Sequence, residues 1–308
     1  MKTIDEAKER AKGLYNICVT PFGADGALLR NVLAGNLERV IALGYDGVLI
    51  GGTYGEFPAM SAEERATLFR MAKDVVGDRV PLLLCSASSD LRVVRELTTL
   101  ASDLGGLPMV TPPFVSEVTS EQIAAFFKDI VRYSRIGIMI YNAPGIGITL
   151  APDMIERISD IEGIIALKQG DLSPAAVDKL VGRLKGKLRL LAASDLAMLG
   201  PLLTGFDGLS STNSCALPEI ILGTYKAVMA GDVARATQLN QLWYPVRELC
   251  RKFGQPQTTK AMMTLRGWNG GTVRPPLREL DTSEQNELAR ILTQLAANTS
   301  EEYLKLAA

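Results

Sequence analysis

The chain contains no histidine, and that absence removes more chemistry than any other feature of its composition. Without an imidazole there is no Ser-His-Asp or Cys-His nucleophile, no histidine general base and no histidine metal ligand. Proton transfer must fall to Lys, Tyr, Asp, Glu, Ser or Thr. Cysteine is scarce as well. The four present, Cys18, Cys85, Cys215 and Cys250, form no CxxC pair, which argues against a zinc knuckle, a redox dithiol or a disulfide framework and leaves them as reduced core residues. Charge of one sign is not in excess either: Lys plus Arg number 33 against 34 Asp plus Glu, so no basic surplus is available to hold a nucleic-acid backbone. No apolar run reaches the roughly 18 residues of a membrane span, and the charged start, MKTIDEAKERAKG, has no signal-peptide core. A cytoplasmic, soluble protein with no nucleic-acid or membrane partner is expected.

What is present is ample apolar sequence, 47% of 308 residues, enough for one large α/β domain or two smaller ones. Short β-rich runs alternate with helical patterns. The strand candidates are 15–22, 45–52, 80–88, 106–114, 137–144, 163–170, 188–195 and 206–214. Helix starts are signalled by Ser61 before AEER, Asp90 before LRVVREL, Thr119 before SEQIAAFFKDI, and Ser173 before Pro174. Eight β/α units with nearly continuous apolar strands predict a parallel sheet closed into a (β/α)8 TIM barrel over residues 1–232, with a doubly wound open sheet as the alternative. Residues 233–308 read as a helical extension packed on the barrel.

In such a barrel the C-terminal strand ends face one pocket. One of those ends, GIIALKQG (163–170), places Lys168 after four apolar residues. An amine is nucleophilic only when neutral, and burial lowers its ordinary pKa of about 10.4 by penalising the charged form. A Schiff base with a carbonyl substrate is the natural use of such a lysine; the bland reading is a lysine that snorkels to water or pairs with Asp171 or Asp195. Tyr141 ends the preceding strand, where its phenol can shuttle protons in place of a histidine. The GGTYGE loop, 51–56, offers backbone amides and the Thr53 hydroxyl to a carboxylate, its glycines allowing close approach. Glu56 reads as a structural carboxylate accepting backbone amides beside that turn.

The order GTYGE, TPPF, YNAPG, IIALKQGDL and GGTVRPPL resembles the dihydrodipicolinate synthase / N-acetylneuraminate lyase family of class I aldolases, across essentially the whole chain. The resemblance implies a lyase barrel, usually a homotetramer, that needs no cofactor and forms an imine with pyruvate or another 2-oxo acid, then joins or cleaves it from an aldehyde or expels water. It makes Lys168 the imine-forming residue and Tyr141 the proton-transferring one, with Thr53 and Tyr54, beside Gly52, in the carboxylate-binding loop. The departures are specific. Tyr54 stands where dihydrodipicolinate synthases carry a second small hydroxyl residue. Pro113 and Phe114 replace the tyrosines of TPYY. Ile146 takes the place of the arginine that binds the second substrate's carboxylate, and Leu196 that of an acidic residue in N-acetylneuraminate lyases. The QGDL segment is also shorter than the usual family spacing.

These departures disfavour lysine biosynthesis and sialic acid, leaving a 2-keto-3-deoxy sugar acid or an aryl or alkyl hydratase-aldolase substrate. Asp195 and Ser211, at the ends of the seventh and eighth strands, are expected to hold substrate hydroxyls. The alternatives are a 4-hydroxy-tetrahydrodipicolinate synthase with a divergent site, a metal- or flavin-dependent barrel, and a non-catalytic barrel that binds a 2-oxo acid.

Overall fold

A computed structural model describes residues 1–144 and 146–307. Eight parallel strands close into a barrel in chain order: β1 (Gly13–Ile17), β2 (Gly47–Ile50), β3 (Leu82–Cys85), β4 (Leu107–Val110), β5 (Ile138–Asn142), β6 (Ile164–Gln169), β7 (Arg189–Ala192) and β8 (Gly208–Ser211). Helices cover the outside, so the strands are buried on both faces, Arg189 alone being partly exposed. That is why the runs look continuously apolar instead of alternating.

The helix starts read from sequence have local physical causes. Ser61 and Thr119 each form a capping box, opening Ala62–Val76 and Ser120–Ile130. Asp90 accepts the Arg92 amide to open Leu91–Asp103. Ser173 precedes Pro174–Leu184 without a side-chain cap, and Pro174 sets the first turn. Beyond the barrel lie helices Val233–Leu242, Tyr244–Phe253, Gln257–Leu265 and Thr282–Ala297. The apparently continuous run from Asp232 divides at Trp243 because Pro245 is tolerated in a first turn but not in a helix interior. No helix of the described residues is long and apolar enough to cross a membrane.

The expected strand boundaries need one correction. The first strand is Gly13–Ile17, not 15–22, since after Cys18 donates to Leu49 O the chain leaves the ladder and Thr20 bonds to Gly55 O at 2.6 Å. The other runs are trimmed for the same reason: their last residues form the mouth of the barrel.

Two details of register position the site. Between β5 and β6, Ile138 pairs with Ile164, but Met139 pairs with Ala166. This bulge advances every later pair by one, so Tyr141 lies beside Lys168 rather than Leu167. At the closing seam, Gly13 of β1 is paired with Gly208 of β8. A Cβ on Gly208 would sit 2.0 Å from Gly13 O, and rigid backbone leaves it no room. Gly208→Ala is therefore expected to cost about 1–3 kcal/mol of stability by forcing the seam apart. Chemical denaturation would measure this, and an unchanged midpoint would mean that the seam is loose.

Candidate active site

Lys168, Tyr141, Thr53 and Tyr54 meet at the C-terminal mouth of the barrel, around a cavity of about 240 Å3 that Ala193 and Ser194 also line. Each comes from a different cause. Lys168 and Tyr141 point the same way because the bulged register makes them neighbours across parallel strands. The Lys168 Nζ lies 4.1 Å from the centre of the Tyr141 ring. The Tyr141 hydroxyl shares a 2.6 Å hydrogen bond with Thr53 Oγ1. Thr53 and Tyr54 belong to a single 3-10 turn, Thr53–Gly55.

Lys168 is 2% exposed. Among the described residues it has no ion pair: Asp171 instead accepts the Ser173 amide, and Asp195 is occupied elsewhere. Burial lowers its pKa from 10.5 to about 7, opposed only weakly by Cys85. The amine is thus available in its neutral form near neutrality. Tyr141 is moved the opposite way: burial raises its pKa, while the Thr53 hydrogen bond partly offsets the shift. It remains a neutral phenol, which can accept a proton only as it passes its own on. Burial raises Tyr54 in the same direction.

The remaining expected residues lie deeper than the cavity. Asp195 and Ser211 bond to each other, and the Asp195 carboxylate accepts further bonds of 2.9 Å from the Asn213 amide and side chain. The pair therefore joins β7 to β8 instead of presenting its oxygens to the cavity. Burial raises the Asp195 pKa, and these hydrogen bonds oppose it. Gly52 is buried as well, and its absent side chain answers a packing need: a Cβ there would lie 2.8 Å from Leu49. Asn142, beside Tyr141, is fully engaged by Leu150 and Gln169.

A residue not singled out from sequence holds the loop in place. Lys260, in the Gln257–Leu265 helix, donates to Glu56 at 2.6 Å, to Thr20 O at 2.7 Å and to Thr272 O at 2.6 Å. The second Glu56 oxygen accepts the Arg274 amide at 2.9 Å. Glu56, at φ 58°, is the one non-glycine in the left-handed region among the described residues, a conformation that costs on the order of 1–2 kcal/mol and requires such support. A signal was present: Lys260 shares a helix face with Met263, which is fully buried.

Lys168 costs stability through its lowered pKa, and the sign follows from linkage. Between about pH 7 and pH 10.5 the unfolded chain holds a proton that the folded chain has released, so stability rises with pH. The cost, on the order of 5 kcal/mol, is complete below about pH 7 and vanishes above the unfolded value. Lys168→Met should therefore stabilise the protein, and more at about pH 6 than at about pH 9. Thermal melts of both proteins at the two pH values test this; a gain independent of pH would rule out a desolvated amine.

The chain is similar to known proteins along nearly its whole length. The model of the Dihydrodipicolinate synthetase family matches residues 10–295. A 4-hydroxy-tetrahydrodipicolinate synthase of Synechocystis sp. is 30% identical over 283 residues, covering 90% of this chain and 93% of that protein. A 4-hydroxy-tetrahydrodipicolinate synthase 1 of Streptomyces coelicolor is 30% identical over 306 residues, 98% of this chain and 99% of that protein. Among solved structures, YagE, a prophage protein of the dihydrodipicolinic acid synthase family from E. coli K12 in complex with pyruvate, superposes with a TM-score of 0.86 at 28% identity. It covers 92% of this chain and 98% of its own. With the family model, the relatives and the barrel fold all matched along nearly its full length, the chain belongs to the dihydrodipicolinate synthetase family.

Proposed function

We propose that the protein is a class I lyase in which Lys168 forms a Schiff base with pyruvate or a related 2-oxo acid. The observation that carries this reading is a buried lysine with no carboxylate partner among the described residues, stacked on a tyrosine that is hydrogen-bonded to a threonine. The neutral Lys168 amine attacks the substrate carbonyl carbon, and the oxygen takes up a proton to give a carbinolamine. Loss of water leaves a protonated imine, the electron sink for the next step. Tyr141 carries protons to and from the departing oxygen, with Thr53 as its hydrogen-bond partner. The 52–55 backbone and the Thr53 hydroxyl receive the substrate carboxylate. Loss of a proton from the carbon beside the imine gives the enamine, which bonds to an aldehyde carbonyl whose oxygen takes up a proton. In the reverse direction that hydroxyl gives up its proton as the carbon-carbon bond breaks, and in dehydration the enamine expels a protonated β-hydroxyl as water. Nothing in this sequence of steps calls for a cofactor.

The partner substrate is proposed to carry an uncharged apolar or aromatic group. Beyond Lys168, Tyr141 and Thr53, which the imine chemistry uses, the cavity is walled by Tyr54, Ala143, Pro144, Gly170 and Ala193, with Ser194 supplying one further hydroxyl. Asp195 and Ser211, which a polyhydroxylated sugar acid would need, are committed to each other and to Asn213. A 4-hydroxy-tetrahydrodipicolinate synthase is the second reading, favoured by the names of the relatives. It requires a cation for a second carboxylate, and Ile146 stands at that position. The working form is proposed to be a cytoplasmic homotetramer, as the family resemblance implies.

Borohydride reduction in the presence of pyruvate, followed by intact mass and peptide mapping, tests the imine. An adduct is expected on Lys168 and absent from Lys168→Ala; a wild-type protein that gains no mass with pyruvate or larger 2-oxo acids would return Lys168 to a structural role. Tyr141→Phe should slow turnover by roughly 10²–10⁴-fold while the adduct still forms on prolonged incubation. In an aldehyde panel, benzaldehyde-like acceptors should outperform glyceraldehyde, and Tyr54→Thr should narrow the difference. The opposite order would favour the sugar-acid reading.

A further inference from the structure

The bulge between β5 and β6 decides which residue faces Lys168, yet most of the two strands does little to select that register. Ile138 to Ile140 and Ile164 to Leu167 are apolar and buried on both faces, so a shift of one step sets apolar side chains against apolar side chains again. The polar pairs lie at the C-terminal ends: Tyr141 with Lys168, then Asn142 with Gln169. Asn142 and Gln169 are buried, and alternation along the strand turns both away from the cavity that Tyr141 and Lys168 line. Each carboxamide is oriented by its own stretch of chain. Asn142 accepts the Leu150 amide at 2.8 Å and donates to Leu150 O at 2.9 Å, which leaves its second N–H aimed at β6. Gln169 donates to Asp171 O at 3.0 Å, which leaves its Oε1 turned toward β5. The two remaining groups meet at 2.9 Å. Beside them the Gly170 amide donates to Asn142 O at 2.7 Å.

We propose that Asn142 and Gln169 are positioning residues for the imine chemistry proposed above, on which this role rests: their bond locks the bulged register and so holds the Tyr141 phenol against the Lys168 amine. One step out of register, Asn142 would stand opposite Lys168, and Gln169 opposite Ala143. A buried N–H and a buried carbonyl oxygen would each lose a partner, whereas the apolar pairs would lose little. The amide pair is therefore the part of the seam that tells the two registers apart. It also adjoins the reactive pair on both strands, so the slip it resists is the one that would separate lysine from tyrosine. Neither carboxamide ionises, and the lock thus places no charge behind an amine that must stay neutral.

Gln169→Met removes the acceptor while keeping the length of the side chain. Borohydride added at timed intervals to the full-length protein with pyruvate reads the rate at which Lys168 gains its adduct. Gln169→Met should slow that rate at least about tenfold and leave the final extent unchanged. In a Tyr141→Phe background the same substitution should slow it less than about twofold, because a lock that acts through the phenol then has nothing to position. An unchanged rate in Gln169→Met, or equal slowing in both backgrounds, would overturn the role. Amide hydrogen exchange reads the lock without the chemistry. The Gly170 amide, bonded to Asn142 O, should exchange at least about tenfold faster in Gln169→Met, while the Ala193 amide, bonded to Gln169 O at 2.8 Å on the β7 side, should keep its wild-type rate. No change at Gly170, or equal acceleration at both amides, would overturn the lock. A wild-type protein that forms no adduct would sink the imine reading and the positioning role built on it, and the exchange rates would still decide the lock.

Discussion

An amine stays uncharged near neutral pH only if water is kept from it and no anion stands close enough to stabilise its proton. The barrel meets both demands at Lys168. Its strand is buried end to end, and the nearest plausible carboxylates are turned away: Asp171 caps the following segment, and Asp195 is enclosed by Ser211 and Asn213. Tyr141 adds a polarisable face that tolerates either charge state of the amine, and its hydroxyl reaches the loop expected to receive the substrate. The network around Asp195 thus serves the site by keeping a negative charge out of it.

The helical extension is tied to the candidate site by one ion pair. A buried salt bridge is weak evidence for net stability, because desolvation consumes most of the Coulombic gain. Its value here is geometric. Glu56 holds an uncommon backbone conformation at the end of the Thr53–Gly55 turn, and both of its oxygens are engaged by the extension. Asn213 makes a parallel connection at the other side of the mouth, its Oδ1 accepting from Gln255 at 2.9 Å and from Thr259 at 3.3 Å. Two of the loops that form the mouth therefore take their positions from residues beyond the barrel.

Much of this was legible in the chain. Eight apolar runs and their capping residues point to a barrel, and a barrel brings strand ends together, which places Lys168, Tyr141 and Thr53 in one pocket without knowledge of distance. Asp195 and Ser211 were read toward the substrate because a strand end fixes where a residue lies but not which way its side chain turns. Two hydroxyl and carboxyl groups at adjacent strand ends satisfy each other when the interior leaves them no water. Lys260 escaped notice since a lysine in an amphipathic helix ordinarily faces solvent. The boundary of β1 was misplaced because β propensity extends to residue 22, whereas the ladder ends where Thr20 turns to cap Gly55.

The bulge between β5 and β6 makes the proposed reactive pair depend on counting as well as on identity. Losing one residue between Gly163 and Ala166 would leave Lys168 and Tyr141 present, their flanking motifs intact and every strand still apolar. The lysine would nevertheless meet a different neighbour. Relatives that keep both side chains but differ by one residue in this span should be sorted by alignment gaps rather than by motif, since such a chain keeps every motif while its lysine loses the tyrosine proposed to carry protons.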